Sequence, residues 1–157
     1  MTAPSMAGIT LVGPTTLPLS TLLYPTHAAV GDVDSNGFMD IVVSCRDTTG
    51  NMALLRGLGA GVFAPAELIY AGSQTDWVEL RDVDGDGTPD LLASIRSGYG
   101  RVAILKGLGG GLFAPPVMIL AQRQPAGMIV RDLDGDGDLD VALVNYISAS
   151  VEIWKGD

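Results

Sequence analysis

Cysteine and histidine occur once each among 157 residues, and aromatic residues make up only 6%. A lone cysteine cannot pair within the chain, which excludes a disulfide scaffold. Cys45 stands in the apolar run Ile41–Cys45 and reads as a buried, inert thiol. The single histidine, His27, leaves no Ser/His/Asp or Cys/His set to assemble, and no glycine-rich phosphate loop precedes a helix. Catalysis is not expected, and His27 reads as structural. Positive charge is also scarce: 9 Lys and Arg stand against 18 Asp and Glu, a formal charge of −9. That balance disfavours nucleic acid and anionic membrane surfaces as partners. No apolar run approaches the roughly 18 residues of a spanning helix, so no membrane insertion is expected. Met1–Gly13 has no basic segment, and no signal peptide is expected there.

Breakers, by contrast, are plentiful: 21 glycines and 9 prolines. With 47% apolar content, mostly small and aliphatic, this composition argues for many short strands joined by turns rather than long helices. The length suits one domain spanning 1–157.

The chain repeats itself. Asp32-Val-Asp34-Ser-Asn36-Gly37-Phe38-Met-Asp40 aligns without gaps on Asp82-Val-Asp84-Gly-Asp86-Gly87-Thr88-Pro-Asp90 and on Asp132-Leu-Asp134-Gly-Asp136-Gly137-Asp138-Leu-Asp140, at offsets of 50 and 50. A second motif recurs at the same offset: Gly57-Leu-Gly59-Ala-Gly61-Val-Phe63-Ala-Pro65 and Gly107-Leu-Gly109-Gly-Gly111-Leu-Phe113-Ala-Pro115. The third copy reaches only Lys155-Gly156-Asp157. Repeats of about 27–72, 77–122 and 127–157 follow, each reading as short strands. One strand enters the Asp loop, as at Trp77–Arg81. A second leaves it, at Ile41–Ser44, Leu91–Ile95 and Val141–Val144, in continuous apolar runs that suit a strand buried on both faces. A third covers Met52–Leu55, Val102–Leu105 and Val151–Trp154. A fourth covers Glu67–Tyr70 and Val117–Leu120. Four-stranded units of roughly 40–50 residues are the blades of a β-propeller, so the expected fold is all-β with three four-stranded blades.

These features resemble the FG-GAP/VCBS repeats of integrin α-subunit propellers and of many microbial surface proteins and lectins. The resemblance rests on the Asp loop, the apolar strand after it and the glycine-rich segment ending in Phe, and it covers nearly everything from residue 27 onward. It implies a propeller, calcium in the loop between the first two strands of each blade and, usually, an extracellular setting. It implies no single activity.

The loop chemistry points to calcium on its own terms. Calcium takes 6–8 oxygens at about 2.3–2.6 Å, and alternate residues of a tight loop can aim oxygens inward. Positions 1, 3, 5 and 9 supply them: Asp32, Asp34, Asn36 and Asp40; Asp82, Asp84, Asp86 and Asp90; Asp132, Asp134, Asp136 and Asp140. Position 7 offers a backbone carbonyl, from Phe38, Thr88 and Asp138. Gly37, Gly87 and Gly137 permit the turn. The first loop, with neutral Asn36, is expected to bind more weakly. An EF-hand would need Glu at position 12 and flanking helices, whereas position 12 is Val43, Ala93 and Leu143. Solvated turns are the plain alternative. Against it, twelve of the eighteen acidic residues crowd into three nine-residue windows, where they repel unless countered. About three calcium ions per chain would take the charge from −9 to about −3.

Propellers typically have about 4–8 blades, so three leave an open arc. An N-terminal strand over 8–23 stands where the fourth strand of a preceding blade would lie. Two chains joined head to tail would then close a six-bladed ring, and a homodimer is expected; a fragment of a larger adhesion or carbohydrate-active protein is the alternative. For function, a recognition or structural module with a protein or glycan ligand stands beside a lectin. Candidate sugar platforms are Trp77, Tyr99, Tyr146 and Trp154, yet none recurs: position 77 corresponds to His27 and Gly127. Core or interblade packing is the expected role of these aromatics, and Phe63 and Phe113 are expected to plug the space between blades. Arg81 and Arg131, one residue before the Asp loops, read as partners of loop carboxylates or as exposed cations.

Overall fold

The computed structural model describes residues 5–6, 9–10, 14–19, 21–22 and 24–156, and no helix occurs among them. Strands β1 (Ser5–Met6) and β2 (Ile9–Thr10) pair with each other. The first repeat contains β3 (Pro25–Gly31), β4 (Asp40–Cys45), β5 (Asn51–Leu55), β6 (Gly57–Gly59), β7 (Val62–Phe63) and β8 (Glu67–Tyr70). The second contains β9 (Thr75–Arg81), β10 (Asp90–Ile95), β11 (Arg101–Leu105), β12 (Gly107–Gly109), β13 (Leu112–Phe113) and β14 (Val117–Leu120). The third contains β15 (Pro125–Arg131), β16 (Asp140–Asn145) and β17 (Ser150–Trp154).

These strands make three antiparallel sheets in chain order: β3-β4-β5-β8, β9-β10-β11-β14 and β15-β16-β17. The first three strands of each sheet pair across short turns or loops, and the hairpins β6-β7 and β12-β13 stand between the third and fourth strands of the first two sheets. The third sheet therefore has three strands among the described residues, not the four expected of every repeat. Among the described residues its strand three is followed by Lys155 and Gly156, with no glycine-rich hairpin or fourth strand after them. The first strands, β3, β9 and β15, lie side by side, and the fourth strands lie outermost, which is a propeller-like arrangement. Of the expected N-terminal strand, residues 8, 11–13, 20 and 23 lie outside the described residues; Ile9–Thr10 form β2, and residues 14–19 carry no strand.

The second strands are buried on both faces, as their unbroken apolar runs foretold. Every residue of β10 is buried, and β4 is buried throughout except at Ile41. Their two faces feed different clusters. Val42, Met52 and Leu54 of the first sheet pack against Val78, Leu91, Ala93, Ile95 and Leu105 of the second. Leu92 and Val102 on the other face of the second sheet pack against Met128, Val130 and Leu143 of the third. Phe113 closes the outer end of the first of these clusters. Inner strands are joined by His27, whose ring stacks on Trp77 at a centroid distance of 3.5 Å and an interplanar angle of 19°. Its Nδ1 lies 3.1 Å from the Val78 carbonyl oxygen. His27 and Trp77 thus hold adjacent sheets together, as expected of packing residues. Trp154 likewise packs into the cluster between the second and third sheets, whereas Tyr99 and Tyr146 are exposed.

At the end of each sheet away from the Asp loops, the inner strand carries a register irregularity. Buried serines serve the freed amides there: Ser44 Oγ accepts from His27 N–H at 3.1 Å and Ser94 Oγ from Trp77 N–H at 3.1 Å. Beside them, Asp76, almost wholly buried, receives Arg46 at 2.6 Å and Arg96 at 3.3 Å. Arg46 comes from the first repeat and Arg96 from the second, and Arg96 also donates to Gln124 of the third at 2.7 Å. A single chain of polar contacts therefore ties all three sheets at this rim. Cys45 is fully buried, and burial followed by the nearby Asp47 pushes its thiol up to about 11, which keeps it protonated and inert.

Candidate metal centres

Each Asp loop links the first strand of a sheet to the second, at residues 32–39, 82–89 and 132–139. The loop closes on its own side chains. Asp32 accepts the amides of Asn36 at 3.1 Å and Gly37 at 2.9 Å. Asp82 accepts those of Asp86 at 3.1 Å and Gly87 at 2.8 Å, and Asp132 those of Gly135 at 2.6 Å and Gly137 at 3.1 Å. The fifth residue then accepts from the seventh: Phe38 N–H to Asn36, Thr88 N–H to Asp86 and Asp138 N–H to Asp136. Such turns need left-handed backbone at positions 4 and 6. Glycine provides it at Gly37, Gly87 and Gly137 and at Gly85 and Gly135; the first loop has Ser35 there, at φ 61°.

The outcome is a knot of carboxylates in every repeat. Asp32, Asp34 and Asp40 gather in the first loop, Asp82, Asp84 and Asp86 in the second, and Asp132, Asp134 and Asp136 in the third. Within each group, one carboxylate oxygen per residue lies within 4.8 Å of the others. Two oxygens that share a calcium ion at about 2.3–2.6 Å each can stand at most about 5 Å apart, so the donor set fits that ion. Magnesium, which requires near-ideal octahedral ligands at about 2.0–2.1 Å, fits a flexible loop of this kind less well.

Of the position-9 residues only Asp40 joins its loop's carboxylate group, and all three have a task that the spacing alone did not disclose. Asp40, Asp90 and Asp140 are buried, and both oxygens of each accept backbone amides. One takes the second loop residue: Val33 at 2.8 Å, Val83 at 3.0 Å and Leu133 at 2.8 Å. The other reaches the glycine after the third strand: Gly57 at 2.7 Å, Gly107 at 2.7 Å and Gly156 at 3.0 Å. The carboxylate is a clasp between the Asp loop and the glycine-rich hairpin, β6–β7 or β12–β13. It explains the glycine, since a Cβ at Gly57 or Gly107 would sit 2.3 Å from the carbonyl oxygen of Met39 or Pro89. The signal in the sequence was the shared 50-residue offset of the two motifs.

Of the two readings of Arg81 and Arg131, the structure does not take pairing with loop carboxylates, and Arg131 is exposed. Arg81 pairs with Glu79 at 3.4 Å and donates to the carbonyls of Leu80 and Val130, and no loop carboxylate is among its partners. Arg131 makes no ion pair among the described residues. The guanidinium of Arg81 is drawn sideways to the neighbouring inner strand instead of forward to the loop. The cations that reach the loops follow the third strand: Arg56 to Asp34 at 3.3 Å, Lys106 to Asp84 and, at 3.0 Å, to Asp86, and Lys155 to Asp134 at 2.6 Å. Arg56 and Lys106 share the repeat offset, and Lys155 comes one residue early because the turn before β17 is shorter. Lys106 holds the Asp86 carboxyl below the usual range, and Lys155 does so for Asp134. Both ammonium groups are raised in return, chiefly by hydrogen bonds to Asp84 and Asp134. Arg56 is held most firmly, because it also pairs with Glu67 at 2.9 Å and donates to the carbonyls of Gly110 and Gly111 in the next repeat.

The family model described as FG-GAP-like repeat matches the chain twice, at residues 32–93 and 82–143. Each match starts at one Asp loop and runs through the next loop into its second strand, so the two together take in all three loops. No curated protein and no solved structure matches the chain. The matched stretch spans more than half of the chain and contains the three loops, the first two clasps and both glycine-rich hairpins; the chain belongs to the FG-GAP-like repeat family.

Proposed function

We propose that the chain is a calcium-stabilised β-propeller module that serves as a recognition or structural platform and performs no catalysis. The observation that carries this reading is the threefold recurrence of a carboxylate knot with calcium-sized oxygen spacing at the same turn of each sheet. In this reading positions 1, 3 and 5 of each loop hold the ion, joined by position 9, and Phe38, Thr88 and Asp138 add backbone carbonyls. The ion supplies the positive charge that otherwise comes from Arg56, Lys106 and Lys155. It pins the turn between the first and second strands, far from the Arg46–Asp76–Arg96 rim, which suits a fastener better than a reaction centre. Isothermal titration of the chelator-stripped chain with calcium tests this. The expected stoichiometry is about three ions per chain, with the first loop weakest because Asn36 replaces a carboxylate. A heat trace indistinguishable from dilution would sink the reading.

A lectin is the second reading, and the exposure of Tyr99 and Tyr146 on turns opposite the Asp loops is what favours it. Both are free to stack on a sugar ring, whereas Trp77 and Trp154 are committed to packing. A glycan array with and without calcium separates the two readings: calcium-dependent binding to a defined glycan supports the lectin, and a blank array at full calcium occupancy supports the platform.

A further inference from the structure

Leu17, Leu19 and Leu22 pack on the outer side of the first sheet, where they cover Val43, Cys45, Ala53 and Leu55. One repeat later, the same four positions are Ala93, Ile95, Ala103 and Leu105, and they are covered by Ile69 of the preceding sheet's fourth strand. Ile69 lies 50 positions after Leu19. The grooves beside these contacts correspond as well. A groove of ≈ 420 Å³ between β8 and the Phe113 segment is lined by Glu67, Leu68, Leu105, Phe113 and Pro115. A groove of ≈ 390 Å³ is lined by Leu17, Pro18, Leu55, Phe63 and Pro65, each 50 residues earlier. Residues 17–19 therefore occupy the place of a fourth strand whose sheet is not in this chain's first repeat.

The third sheet has the opposite shortfall. Among the described residues no fourth strand lies beside its outer strand β17, and Val144, Val151 and Ile153 are half-exposed or more on the face turned away from the second sheet. The corresponding Ser44, Met52 and Leu54 are buried by the next sheet in the first repeat. An open edge and an uncovered apolar face on one side meet a displaced strand and a matching face on the other.

We propose that β17 of one chain pairs antiparallel with residues 17–19 of a second copy, completing the third sheet and continuing the sheet-to-sheet interface already present twice within the chain. The register follows from the pairs Met52 with Ile69 and Leu54 with Glu67, and Val102 with Ile119 and Ile104 with Val117. Carried one repeat on, they place Val151 opposite Leu19 and Ile153 opposite Leu17 of the partner copy. Pro18 is tolerated because a fourth strand is a sheet edge. Performed in both directions, the exchange closes two chains into one twofold ring in which every sheet has four strands.

Light scattering on the full chain in calcium tests the assembly. A mass of twice 16.3 kDa is expected; a single-chain or threefold mass overturns the twofold closure. Val151→Lys with Ile153→Lys alters only side chains that are exposed in the single chain, so the far-ultraviolet signature is expected to persist while the mass falls by half; retention of the doubled mass contradicts the pairing. Leu19→Cys with Val151→Cys is expected to give a disulfide-linked pair on a non-reducing gel, and Leu19→Cys with Glu152→Cys, on the opposite face, is not. Equal linkage of both, or linkage within one chain, overturns the register.

Discussion

At the residue scale, the ninth loop position holds the loop to the strand beyond it without any metal. Asp90 accepts two amides in a buried setting, and removing it strands both donors. Asp90→Ala is therefore expected to destabilise the metal-free chain by about 3 kcal/mol, read from denaturant unfolding in chelator. A residue that served the metal alone would leave that curve unmoved. Ser35 is the only loop residue at position 4 forced into left-handed backbone with a side chain, so Ser35→Gly is expected to raise stability by about 0.5–1 kcal/mol in the same assay. Lys106 gives a test with opposite signs. Its ammonium group neutralises Asp84 and Asp86 in the metal-free state and must give way when a divalent ion arrives. Lys106→Met is expected to lower the metal-free melting temperature while tightening calcium binding a few-fold by titration. Loss of both, or gain of both, would show that the lysine does not compete with the ion.

At the element scale, the strands were legible and the hairpins were not. The second strands announced themselves as apolar runs because sheets cover both of their faces, and the fourth strands, Glu67–Tyr70 and Val117–Leu120, match the expected spans residue for residue. First strands extend further back than expected, with β9 starting at Thr75, since Thr75 and Asp76 are polar yet buried through hydrogen bonds and ion pairs that hydropathy does not register. The recurring glycine-rich motif at Gly57–Gly61 and Gly107–Gly111 proves to be the start of a two-stranded hairpin in each case. Glycine there marks the close approach of one backbone to another, which composition cannot distinguish from a flexible turn. The cations that reach the loops, Arg56, Lys106 and Lys155, were not singled out by the sequence, because they follow a strand two places along the sheet; Arg131, for which exposure was one of the two readings, is exposed.

At the scale of the molecule, charge is segregated. Most of the carboxylates lie at one end of the sheets, in the three loops, while the opposite rim carries Arg46 and Arg96 around the buried Asp76. The repeat offset made this polarity readable in outline, since every Asp loop must fall at the same end of its sheet. The Asp76 cluster was not readable, because its members are 30 and 20 residues apart and occur in no other repeat as a set. Metal bound at the loops would relieve the repulsion gathered at one end and so favour the folded state over the unfolded one. Thermal unfolding followed in excess calcium and again in excess chelator measures that coupling directly. A melting temperature higher by several degrees is expected with calcium, and superimposable curves would contradict stabilisation by the ion.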